Sequence, residues 1–311
     1  YTLVDGNTIS DIGENGVYIS NSDNVDVTDN GISDVDGHGV KVNPSDYVEV
    51  ANNTITDIGL DGVNITDGNY AWVHNNTITN TGGDGVDVTN NYDVEISQNS
   101  ITTTGANGVK VAGSVSALVN DNTITDVVGD GVNVSTSDYT YVTWNDISDI
   151  DTAGVRVIDS AYVNVTDNHI WDTYFEGVYA NNADNLYVAY NNIHHISDDG
   201  VEVYGSDNVT VTSNTINEVS FDGVDLDYVN NSSVTSNTIS DTGDNGVEID
   251  YGTNHFVAYN TIDDTATNGV YIYGASGGYE GSVRVYDNDI TDAGYDGVYA
   301  GNTTALLIDY N

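Results

Sequence analysis

Cysteine and methionine are absent from this chain, proline occurs once, at Pro44, and basic side chains number four: Lys41, Lys110, Arg156 and Arg284. Without cysteine there is no disulfide, no thiolate nucleophile and no cysteine-ligated metal. No apolar run reaches the roughly 18 residues of a membrane-spanning helix. The four cations stand against 49 acidic residues, for a net charge of -45. Such a surface repels nucleic acid and anionic membranes and attracts cations, so neither nucleic-acid binding nor membrane insertion is expected. Scarce lysine, with Asp well ahead of Glu, fits a salt-adapted (halophilic) source or an acidic protein secreted into a calcium-containing medium. The chain opens at Tyr1 without an initiator Met or signal peptide, which reads as a processed chain or an excerpt of a longer one.

What the chain has in abundance is repetition. Asn-x-Ile leads to Gly-Val and then to two alternating apolar pairs, as in Asn53-Thr54-Ile55, Gly62-Val63-Asn64-Ile65 and Ala71-Trp72-Val73. Gly-Val recurs at Gly16, Gly39, Gly62, Gly85, Gly108, Gly131, Gly154, Gly177, Gly200, Gly223, Gly246, Gly269 and Gly297, a step of 23 residues until the last, which is 28. Each period holds three short segments of alternating apolar residues bounded by Gly, Asn, Asp or Ser, and none is long enough for a helix. One such coil leaves its apolar face and strand edges open, so it must stack on its neighbours.

The columns that stacking would create are apolar and β-branched: Ile9 through Ile290, Val17 through Val298, and Val27 through Ile308. These predict an all-β parallel β-helix of about 13 coils and three parallel sheets, right-handed by the rule for parallel crossovers. No linker breaks the register, so residues 1–311 read as one domain. The leading Asn, represented by Asn53, Asn76, Asn99 and Asn122, reads as a structural amide ladder. The Gly of each Gly-Val pair reads as a tight bend.

The phrase Gly200-Val-Glu-Val-Tyr-Gly-Ser-Asp-Asn-Val-Thr-Val-Thr-Ser-Asn-Thr-Ile, with Asp222-Gly-Val-Asp-Leu, resembles the right-handed parallel β-helix repeat family over essentially the whole chain. That repeat occurs in mannuronan C5-epimerases, polysaccharide lyases, copper-maturation periplasmic proteins and large surface proteins. The resemblance implies the fold, while unrelated activities share it. The epimerase motif Tyr-Gly-x-Asp-Pro-His is absent. Gly37-His38-Gly39 matches the Gly-His-Gly of polygalacturonases but stands without that family's other motifs. No catalytic residue is assigned from motifs.

Three features depart from the plain repeat. Coils seven to nine gather Trp144, Asp146, His169, Trp171, Tyr190, Asn192 and His194 on outward positions, a patch suited to stacking on a sugar ring. His169, His194 and Asp146 are alternatively suited to sharing Zn or Cu. Two acidic columns flank the turn before Gly-Val, and Asp57 with Asp61 and Asp126 with Asp130 are the pairs proposed for Ca²⁺. A Gly-rich insertion at 274–281 accounts for the longer last step and is a candidate binding loop. Thr54, Thr56, Thr77, Thr79, Ser100, Thr102, Thr123 and Thr125 form a flat hydroxyl array similar to solenoid ice-binding faces.

Near-invariant repeats argue against chemistry in most coils. The chain reads as a noncatalytic, extracellular or cell-surface solenoid, an adhesin or sheath-like protein. With no polar cap visible at either end, it is expected to continue into more chain or to self-associate end to end into filaments. The alternative is a carbohydrate-binding or carbohydrate-active β-helix using the patch on coils seven to nine, with a polysaccharide or cell-surface glycan as partner.

Overall fold

The computed structural model describes residues 1–277 and 282–311. Half of the candidate binding loop at 274–281, residues 278–281, therefore falls outside the described residues. The chain divides into two compact units, Tyr1–Arg156 and Val157–Asn311.

In each unit the coil is the building block. Residues Thr54–Ile58, Val63–Thr66 and Asn69–His74 are the three strands of one coil. Each pairs in parallel with its equivalent one period away, so Ile55 meets Ile78, Val63 meets Val86 and Val73 meets Ile96. The second unit repeats the pattern, Ile193 meeting Ile216 and Val201 meeting Val224. The architecture is an all-β parallel solenoid of about 13 coils with three parallel sheets, as the columns predicted. They are named here the Ile sheet, the Gly-Val sheet and the third sheet. Alternation sends one side chain of each pair inward, and Ile78, Ile101, Ile124, Val86 and Val109 are fully buried. Each such side chain adds roughly 1.5–3 kcal/mol of burial.

The corners are made by three polar devices. The Asn ladder is one: the backbone N–H and Nδ2 of Asn76 both donate to Oδ1 of Asn99 at 3.0 Å, and Nδ2 also reaches the carbonyls of Val50 and His74. The second unit holds the same ladder, with the Asn191 backbone N–H and Nδ2 donating to Asn214 Oδ1. A second ladder, not anticipated, uses hydroxyls: the Asn91 N–H donates to Ser114 Oγ and the Ser114 N–H to Ser137 Oγ. The third runs through the column before Gly, where the Asp84 N–H donates to Asp61 Oδ1 and the Asn107 N–H to Asp84 Oδ1, both at 2.8 Å.

The Gly-Val glycines serve close approach rather than a left-handed bend. A Cβ on Gly62 would lie 2.5 Å from Ile78 Cγ2 and 2.6 Å from the Gly85 carbonyl. The left-handed corners fall elsewhere, most often on Asp and Asn such as Asp34, Asp57, Asn80 and Asn90, which tolerate that backbone best, and also on aromatic residues such as Trp144 and Tyr190.

Candidate functional site

The Ile sheet of the second unit brings four of the patch residues together. His169–Thr173 and Asn192–Ile196 are adjacent strands, with His169 in register with Asn192 and Trp171 with His194. His169 Nε2 and His194 Nε2 are 2.9 Å apart. The Trp171 ring stacks on His194 with centroids 6.2 Å apart and on His169 at 5.9 Å. His194 Nδ1 contacts His195 Nδ1 at 2.7 Å, and His195 Nε2 contacts the Glu218 carboxylate. Burial, and then the neighbouring His169 and His195, hold the His194 pKa below its usual value. Asn192 is exposed, and Tyr190 projects from a left-handed corner at φ 59°. Trp144 and Asp146 belong to the first unit, where Trp144 is exposed at another left-handed corner and Asp146 pairs in register with Thr123.

The acidic pairs proposed for calcium have other partners. Asp61 Oδ2 lies 3.1 Å from His38 Nδ1, and Asp61 also accepts from Asn64 and from the Asp84 N–H. Burial raises the Asp61 pKa, but these hydrogen bonds outweigh it and the net shift is downward. Asp130 accepts from Asn133, Thr152 and Arg156. Asp57 and Asp126 accept from Asn80 and Thr103 one coil away. Among the described residues no group of three or more His, Asp or Glu side chains is arranged to hold a metal. Asp11, Asp34 and Asp57 line an open groove of the first unit together with Asp36 and Asn80. The hydroxyl array is in register, Thr77 between Thr54 and Ser100, and Thr79 between Thr56 and Thr102.

The outer face of the Gly-Val sheet is the site that motif reading missed. In the first unit it carries a mixed network. Lys110 Nζ lies 3.3 Å from Asp87 and 3.8 Å from Asp84, and Asn64 bridges Asp61 and Asp87. Burial lifts the Asp84 pKa; it also works against the Lys110 charge, but Asp87 and Asp84 outweigh it and raise that pKa.

In the second unit the same positions carry no Lys or Arg, and in the coils around residues 199–250 they are mostly acids. Asp199 and Asp222 occupy the column before Gly, Glu202, Asp225 and Glu248 the outward column, and Asp227 and Asp250 the next. Burial pushes Asp199 up to about 7 and Asp225 up to about 10. Glu202, Asp222 and Glu248 move the same way, chiefly through burial and then through neighbouring carboxylates. Asp225 Oδ1 and Asp250 Oδ1 are buried without a hydrogen-bond partner. Beside the acids runs a ladder of tyrosines: Tyr204–Tyr228, Tyr228–Tyr251 and Tyr251–Tyr273, with ring centroids 5.5, 4.9 and 6.0 Å apart. Tyr271 and Tyr299 stack at 5.0 Å on the outward column. The sequence signal was the column two residues after each Gly, which holds Lys41, Lys110 and Arg156 and then Glu202, Asp225 and Glu248 where the Ile sheet has Thr and Ser.

A family model described as the right-handed beta helix region matches residues 1–147 and 153–311. The chain belongs to the right-handed beta helix family. Solved structures with this β-helix fold include the A-module of mannuronan C-5 epimerase AlgE4 from Azotobacter vinelandii. It matches with TM-score 0.65 at 17% identity, over 97% of this chain and 90% of that one. The catalytic unit of an α-1,3-glucanase from Streptomyces thermodiastaticus matches with TM-score 0.67 at 14% identity, over 99% of this chain and 64% of that one. The Dettilon tailspike protein matches with TM-score 0.56 at 16% identity, over 96% and 61%. At these identities the likeness is one of fold. No curated protein sequence matches this β-helix.

Proposed function

We propose that this β-helix is a glycan-binding scaffold of the cell exterior, and that the outer Gly-Val face of its second unit binds an uncharged polysaccharide. One observation carries the reading: a floor of carboxyl groups and a rim of tyrosines in contact, Tyr228 and Tyr251 stacked and Tyr204 and Tyr273 edge-on to them, share one sheet face. Carboxyls in both protonation states donate to and accept from sugar hydroxyls, and tyrosines offer apolar edges with a polar tip. Charge narrows the ligand. The only basic residue of the second unit is Arg284, and it sits on the third sheet, in register with Phe256 and Leu307. A uronate carboxylate would meet carboxyl groups on this Gly-Val face and no Lys or Arg to pair with. Two of the structural likenesses are, by name, enzymes of polysaccharides, a mannuronan epimerase and an α-1,3-glucanase, which supports a glycan as ligand.

Affinity electrophoresis through gels holding neutral or uronate polysaccharides tests this. Retardation is expected in a neutral glycan and lost in the Tyr228→Ala, Tyr251→Ala double variant. Retardation only by uronates, or an unaffected double variant, refutes it.

A second reading, cleavage, is favoured by the buried pair Asp199 and Asp225, whose pKa values burial raises. A carboxyl that keeps its proton at neutral pH can protonate a glycosidic oxygen while an ionised neighbour acts as base or nucleophile. Reducing ends released from the bound glycan, and lost with Asp225→Asn, would support it. Binding without release leaves the noncatalytic scaffold.

A further inference from the structure

The third sheet of the first unit carries exposed rings that neither the carboxyl face nor the histidine cluster uses. We propose that Trp72, Asp93, Glu95 and Leu118 form a binding site for one ring of an uncharged glycan, separate from the carboxyl face of the second unit. Three observations meet there.

The first is a shaped space. Trp72, Glu95 and Leu118 stand in register on the successive strands Asn69–His74, Tyr92–Ser97 and Val115–Asn120. With Asp93 and Ser116 they line an open depression of about 210 Å³. It has room for several waters, which suits a pyranose ring and exceeds what an ammonium head fills. Trp72 lies one coil before Glu95 and Leu118 one coil after it, so two apolar side chains flank a carboxylate.

The second is the pairing of chemistries. A pyranose ring has apolar C–H faces and a rim of hydroxyls. Trp72 is exposed, and its indole offers a C–H face a broad apolar surface with little flexibility. Glu95 Oε1 accepts from Ser97 Oγ at 3.0 Å, which holds the carboxylate and leaves Oε2 to accept from a sugar hydroxyl. Asp93 sits half-buried at a left-handed position, φ 51°. Its carboxylate has no hydrogen bond among the described residues and supplies a second acceptor. Hydrogen bonds to an ionised acceptor are stronger than those between neutral groups.

The third is charge. Lys41, Lys110 and Arg156 all lie on strands of the Gly-Val sheet. The histidine of the third-sheet strands, His74, is held by Glu49 at 3.0 Å. A uronate or a sulfated sugar would meet two carboxylates and no Lys or Arg, whereas an uncharged glycan has no such conflict. Tyr141, exposed and in register with Leu118, offers a further ring one coil on. The coil rise of about 4.8 Å is close to the advance of an extended glycan per sugar.

The test uses the chain with Trp144→Phe and Trp171→Phe, which keeps Trp72 as its sole tryptophan. Its emission is followed during titration with neutral β-1,4-linked hexasaccharides of glucose, mannose and xylose, and with hexagalacturonate and hexalysine. A saturable change with at least one neutral hexasaccharide is expected, insensitive to ionic strength, and none with hexagalacturonate. By calorimetry with that sugar, Trp72→Ala should weaken binding at least 10-fold and Glu95→Ala about 10-fold, while Trp72→Tyr retains it. The Tyr228→Ala, Tyr251→Ala double variant should leave the Trp72 signal intact, which separates this site from the face of the second unit. Trp72 and Glu95 are exposed, and unchanged thermal midpoints will show that the variants fold. The proposal fails if no neutral hexasaccharide gives a saturable change, if hexagalacturonate or hexalysine binds more tightly than all of them, or if Trp72→Ala binds as the parent does.

Discussion

Asn99 shows how far one side chain is committed in this fold. It donates to Asn122 Oδ1 and to the Val73 and Ser97 carbonyls, and accepts from the Asn76 N–H and side chain. Asn99→Ala leaves several buried polar groups unpaired and should cost about 2–4 kcal/mol in urea unfolding, at about 1–3 kcal/mol per orphaned group. Asn99→Asp should cost more, because a carboxylate oxygen would then face carbonyl oxygens.

His255 is the opposite case, a buried histidine held neutral. Ser232 Oγ meets its Nδ1 at 2.8 Å, and its Nε2 meets the Tyr251 carbonyl at 3.0 Å. Burial depresses its pKa to about 4. Above its ordinary value of about 6.5 both folded and unfolded chains carry it neutral. Between there and 4 only the unfolded chain takes up the proton, so stability falls as pH falls through that window and levels off below it. The loss approaches about 3 kcal/mol. Comparing unfolding midpoints of wild type and His255→Gln at pH 7 and pH 4.5 isolates this contribution, and the pH-dependent gap should narrow in the variant.

At the scale of the sheet, the carboxyl face of the second unit has the reverse pH dependence. Its folded-state pKa values are raised, so the folded chain binds more protons than the unfolded one, and stability is lost as pH rises from about 4 through the raised values. Asp225→Asn removes one such group while keeping its shape. It should stabilise the protein at pH 8 by on the order of 1 kcal/mol or more, with little effect at pH 4, as read by thermal unfolding. No change at pH 8 would show that the Asp225 carboxyl ionises without strain.

This face also marks the limit of what the sequence made legible. The three sheets, their register and the Asn ladder follow from periods that repeat without regard to context, so Ile78, Val86 and Asn76 were readable at once. The carboxyl floor was not, because the difference between Asp225 and a solvated surface acid is the cover supplied by neighbouring coils. The acids before Gly read as a cation site, and in the structure Asp61 and Asp84 accept backbone N–H groups one coil on.

Taken as a whole chain, the fold is a nearest-neighbour array, in which each coil is completed by the coils beside it. Removing residues 76–98, one full period, rejoins Asn75 to Asn99 and leaves every ladder able to close. Removing 76–97 shifts the register by one residue and turns the strand faces over. The first deletion should fold cooperatively with only a modest loss in midpoint, and the second should disrupt the first unit, as judged by circular dichroism and protease resistance. Equal behaviour of the two would show that the ladders do not set the register.

The last step of the repeat supplies the native precedent. Although Asn260 and Asn288 are 28 residues apart, the Asn260 N–H still donates to Asn288 Oδ1 at 3.0 Å and its side chain reaches the same atom at 2.9 Å. Extra length is tolerated so long as the corners mate. For the gene, whole-period duplication or loss is therefore a neutral currency of change, while a single-codon slip inside a strand is not. Relatives of this protein should differ in coil number in steps of 23 codons, with irregular insertions confined to the turns.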